Sequence, residues 1–195
     1  MPFYILSLFI LVLLSAVAQQ FMPVIDGLYD ARLLVFPLVF LCAAVTLNPA
    51  GMLFFAFLCG FMWDAQHVHM PVVENAVYNA PVETLPFGYS IILYAAMGML
   101  MLLVQPLFRS GKWHYSIVVA GLSIFAYLWL EYLLINFLRG GLVINQPTLL
   151  KIAWTAGLTM LVSPLVYWIL FRLAELFHYE ITYEGLNRSR RYNLD

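Results

Sequence analysis

Apolar residues fall into six runs along the chain, at 3–21, 32–47, 50–63, 87–108, 115–137 and 148–171, with short polar breaks between them. A helix needs about 20 apolar residues to cross a hydrocarbon core of ~30 Å. The pattern therefore predicts an all-α integral membrane protein of about six transmembrane helices, residues 1–171, followed by a tail at 172–195. The second and third runs are the short ones. At 1.5 Å per residue they reach only about 21–24 Å, which predicts a short hairpin, either in thinned bilayer or partly re-entrant. Asn48-Pro49 divides that hairpin, because proline ends one helix and can open the next.

Composition sharpens the picture. With 64% hydrophobic and 10% charged residues and a mean hydropathy of +0.91, the chain lies outside the range of soluble domains. A net charge of −1, with the nine Lys and Arg dispersed, gives no nucleic-acid surface. Cys42 and Cys59 lie inside apolar runs, where cysteine acts as a small hydrophobe, so no disulfide framework is indicated. The end of the first run, Ala16-Val17-Ala18-Gln19, has the small-residue look of a cleavage site. No Lys or Arg precedes it and the apolar run continues past it, so an uncleaved first helix is expected.

Orientation follows from basic residues. Arg109, Lys112, Arg172, Arg188, Arg190 and Arg191 fall on the side of both termini, against Arg32, Arg139 and Lys151 on the other, which places the termini in the cytoplasm. A re-entrant hairpin would leave that count unchanged. The basic tail also favours anionic lipid, by about 1 kcal/mol for each Arg near the surface.

Arg32, Asp64, Glu131 and Lys151 stand inside or at the ends of the runs, where ionisable groups face the bundle interior and find partners. The antiparallel hairpin brings Arg32 and Asp64 to one end, so they are expected to pair; Glu131 and Lys151, at similar depth on neighbouring helices, form a second expected pair. These four are the candidate polar cluster for partner binding or for structure. Ala56 with Gly60, and Ala153 with Gly157, are small residues four apart that permit close helix packing. Asp64, His67, His69 and Glu74 supply metal-type ligands, but no spacing fixes a fourth, and solvated loop residues are the plainer account, so no metal site is expected. Nor does any phosphate loop, HExxH helix or recognisable catalytic set occur, so neither catalytic residues nor a cofactor is expected.

The stretch from Arg32-Leu33-Leu34 through Asn48-Pro49 to Gly60-Phe61-Met62-Trp63-Asp64, with the Gly-led helix Phe87-Gly88-Tyr89 onward, resembles the rod-shape-determining MreD family. Gly60, Asp64 and Gly88 match its pattern position by position, whereas the loop 65–85 is longer than the family's usual connection. The resemblance implies a non-enzymatic inner-membrane component of the bacterial cell-wall elongation machinery. Such a protein binds the bitopic protein MreC, meets other elongation-complex membrane proteins and wall-synthesis enzymes, and couples cytoplasmic filaments to peptidoglycan synthesis. A different class is also consistent with six helices at this size: the substrate-binding membrane subunit of an energy-coupling-factor-type vitamin transporter, with Arg32, Asp64, Glu131 and Lys151 gathered around a ligand.

Overall fold

A computed structural model describes residues 2–67, 85–109, 112–138 and 145–176. Six helices make up nearly all of it: α1 Pro2–Gln20, α2 Val35–Thr46, α3 Pro49–Gln66, α4 Tyr89–Arg109, α5 Trp113–Leu138 and α6 Gln146–Leu176. Between α1 and α2 lies a small antiparallel hairpin, β1 Val24–Ile25 and β2 Ala31–Arg32, in register Val24 to Arg32. A single 3-10 turn at Asp26–Leu28 and two left-handed residues, Tyr29 (φ 54°) and Asp30 (φ 58°), reverse the chain.

α1, α4, α5 and α6 are each long and apolar enough to cross a membrane. Their outward faces carry exposed Leu14, Ile92, Leu103, Leu122, Leu161 and Trp168, a surface that an aqueous protein would hide. These features are those of a membrane-embedded, mostly helical protein. α3 has 18 residues. α2 has only 12, about 18 Å, and every residue from Phe36 to Thr46 is buried. A helix apolar on all sides belongs in the middle of a bundle, and α2 touches α1, α3, α4, α5 and α6. The short hairpin is thus unequal, an enclosed α2 followed by a longer α3, rather than two runs of similar length.

Leaving a helix short inside a bilayer exposes its terminal backbone groups to hydrocarbon unless neighbours satisfy them. At the C-terminal end of α2, Gln105 of α4 donates from Nε2 to the carbonyls of Val45 (3.0 Å) and Leu47 (2.7 Å). Asn48 then caps α3, accepting the Gly51 N–H at 2.8 Å, with Pro49 in the first turn. On α6, Pro164 cannot donate to the Met160 carbonyl, and Ser163 Oγ donates to that oxygen instead at 2.7 Å.

α6 runs past the expected boundary at 171 to Leu176. Rings from four helices form the interior below the β-hairpin: Phe36 stacks on Trp63 (centroids 6.0 Å), Phe40 tilts against Tyr94 (5.2 Å), and Tyr94 meets Tyr127 edge-on (5.8 Å).

Candidate functional site: the polar cap at the hairpin end

The chain reverses at each connection, so the β-hairpin, the C-terminal ends of α1, α3 and α5, and the N-terminal ends of α2, α4 and α6 meet at one end of the bundle. Arg32, on β2, is turned toward α1. Its Nε donates to the Met22 carbonyl (3.1 Å) and its Nη2 to those of Gln19 (2.9 Å) and Gln20 (3.5 Å). A guanidinium there satisfies orphan carbonyls and opposes the negative end of the helix dipole. The backbone from Arg32 to Phe36 is held by side chains. Thr155 and Thr159 of α6 accept the N–H groups of Arg32 (3.3 Å) and Leu34 (3.2 Å). Gln19 donates to the Leu33 carbonyl (3.0 Å) and accepts the Phe36 N–H (3.2 Å).

Asp64 lies elsewhere on this end. Its Oδ2 accepts the Gly88 N–H at 2.6 Å, at the start of α4. A carboxylate is favoured there, because the first N–H groups of a helix lack partners and the dipole is positive. The expected Arg32–Asp64 ion pair is therefore not formed: each charge is drawn to a helix end of opposite polarity before it reaches the other.

Gly60 and Gly88 explain why Asp64 can reach. A Cβ on Gly60 would stand 2.5 Å from Ile91 Cα and 2.7 Å from Ile91 N, so only glycine lets α3 and α4 cross backbone to backbone here. Gly88 has φ +101°, a conformation that side chains disfavour. One turn beyond Gly60, Asp64 then faces the N-terminus of α4. Ala56, one turn before Gly60, is fully buried.

Glu131 and Lys151 are brought together without touching. Both line a cavity of about 600 Å³ between α5, α6 and the end of β2, together with Arg32, Asn136 and Thr155. They do not approach within 4.0 Å, so the expected ion pair is absent; the ion pair seen among the described residues is the exposed Arg172–Glu175 contact at 3.7 Å. A second, smaller cavity of about 380 Å³ lies on the other side of Arg32 and Leu34, bordered by Trp63 and His67.

Ala153 and Gly157 do not pack inside the chain. Both are exposed, and a Cβ on Gly157 would meet nothing within 4 Å. The close contacts of glycine fall instead at Gly98, against Met52 and Phe40, and at Gly121, against Met160. The His67 ring lies tilted against that of Trp63 (centroids 4.4 Å), with Nδ1 2.8 Å from the Trp63 carbonyl. His69 and Glu74 lie outside the described residues, as do Arg139 and the basic cluster at 188–191.

Sequence reasoning missed Gln19, Gln105, Thr155 and Thr159. Their one signal is an uncharged polar side chain within a mostly apolar run. Comparison with protein-family models, with curated proteins and with solved structures finds no match to this chain.

Proposed function

We propose that this chain is a non-enzymatic membrane component of a bacterial cell-wall elongation machinery, of the MreD kind. In this reading it lies in the cytoplasmic membrane with both termini inside, its six helices arranged much as in the substrate components of energy-coupling-factor transporters. It seats a bitopic MreC-like protein and, through it, wall-synthesis enzymes. The supporting observation is that Gly60, Asp64 and Gly88, the three positions that carry the resemblance, meet in one device: a backbone-to-backbone crossing of α3 on α4 closed by a 2.6 Å carboxylate cap. A pattern shared by a family is expected to be a physical unit, and these residues act as one. The polar side chains around them, Arg32, Gln19, Thr155 and Thr159, hold backbone, which is the work of a scaffold.

The test is gentle-detergent affinity purification of the tagged protein from its native membrane, followed by mass spectrometry. Recovery of a bitopic MreC-like protein with wall-synthesis enzymes is expected. Recovery of ABC-type ATPases with a second membrane subunit would replace the scaffold with a vitamin-transport subunit.

A further inference from the structure

Glu131 lies about 10 Å inside the C-terminal end of α5, at a depth where an ionised side chain is costly unless a partner or water compensates it. Among the described residues no hydrogen bond or ion pair engages it, and none engages Lys151 across the cavity. Opposite charges at this depth normally close on one another. Here they stand on two walls of a space of about 600 Å³, within the size range of small-molecule sites. Arg32, the third charge, is already compensated on one side by the carbonyls at the end of α1, while its Nη1 makes no bond to them. Between the charges the walls are apolar, formed by Leu34, Leu128, Ile135 and Ile152.

We propose that this cavity binds a zwitterionic amphiphile, its primary ammonium on Glu131, its phosphate or carboxylate between Lys151 and Arg32, and its apolar part against Leu128, Ile135 and Ile152. The charge pattern selects the class. A simple anion leaves Glu131 unmatched, a simple cation leaves Lys151 unmatched, and an apolar ligand matches neither charge. Two sources carry this chemistry, a phosphoethanolamine lipid headgroup and a soluble amino-phosphate. The inference rests on the cavity alone and holds whichever protein partner the chain has.

The test uses the full-length protein in detergent micelles and measures retention of phosphatidylethanolamine, phosphatidylcholine and phosphatidylglycerol by native mass spectrometry. Choline has no N–H to donate, so phosphatidylethanolamine should be retained roughly tenfold or more over phosphatidylcholine. Glu131→Gln should abolish that preference while leaving phosphatidylglycerol binding intact, and Lys151→Gln should weaken all three lipids. Circular dichroism checks folding, and the Lys151 variant carries the test if the Glu131 variant misfolds. Competition by glycerophosphoethanolamine would assign the ligand to the soluble source, and its failure to compete to the lipid; both uphold the ammonium on Glu131. Equal retention of the three lipids by the unaltered protein, or an ethanolamine preference that survives Glu131→Gln, overturns the proposal.

Discussion

Replacing Gly60 by alanine should reach Asp64 through the helix crossing, and the two effects should not add. The new methyl would sit 2.5 Å from Ile91 Cα, which is main chain and cannot rotate away. Restoring an ordinary carbon contact of about 3.5 Å requires α3 and α4 to part by about 1 Å. The same displacement stretches the bond from Gly88 N to Asp64 Oδ2, now 2.6 Å, to about 3.5 Å, beyond useful hydrogen-bond range. Overpacking of this kind costs about 1–3 kcal/mol, and losing a helix-start acceptor about 0.5–2 kcal/mol. Asp64→Ala by itself should cost about 1–2 kcal/mol. In the Gly60→Ala background it should cost almost nothing, because the bond is already lost, giving a coupling of about 1–2 kcal/mol. Reversible unfolding in mixed detergent–dodecyl sulfate micelles, followed by tryptophan fluorescence, measures all four corners of the cycle. Additivity within about 0.5 kcal/mol would show that crossing and cap are independent and would refute the account of a single device.

Three further outcomes follow from the same geometry. The charge-swapped double variant Arg32→Asp with Asp64→Arg should be no more stable than the sum of its single changes predicts, since the two residues serve different helix ends; recovery in the same unfolding assay would restore the ion pair. Gln105→Leu should cost about 1–3 kcal/mol by leaving two carbonyls of the α2 terminus without donors, and Gln105→Glu more, because a carboxylate there faces carbonyls and the negative helix end. A Glu variant as stable as the parent would sink that assignment. Gly157→Ala should leave the isolated protein within about 0.5 kcal/mol of the parent, because nothing stands within 4 Å; a loss comparable with that of Gly60→Ala would place a neighbour on that face.

Much of the architecture is legible in hydrophobic pattern alone, because chain length in a bilayer is set by thickness. The long apolar runs become α1, α4, α5 and α6, and Asn48-Pro49 marks the break between α2 and α3 where proline chemistry requires it. Pairings across the bundle are less legible. Ala56-Gly60 and Ala153-Gly157 read identically along the chain, yet the first pair is buried, with Gly60 against Ile91, and the second faces outward, since a spacing of four fixes a face but not what stands opposite. Likewise, charge complementarity pairs Arg32 with Asp64 on paper. Counting charges omits the backbone, and helix ends in hydrocarbon are partners as strong as side chains.

That omission also explains the role of α2. A helix of 12 residues with every side chain from Phe36 to Thr46 buried leaves few partners of its own for its terminal backbone groups, and side chains of its neighbours cap them: Gln19 and Thr159 at one end, Gln105 at the other. Each is an uncharged polar residue on a long, mostly apolar helix, conspicuous only once α2 is placed between them. The same accounting makes Glu131 and Lys151 stand out. Arg32, Asp64, Gln19, Gln105, Thr155 and Thr159 each hold a backbone group, whereas Glu131 and Lys151 face a cavity and hold none. Structural need therefore accounts for the polar residues around α2 and leaves this pair for a ligand.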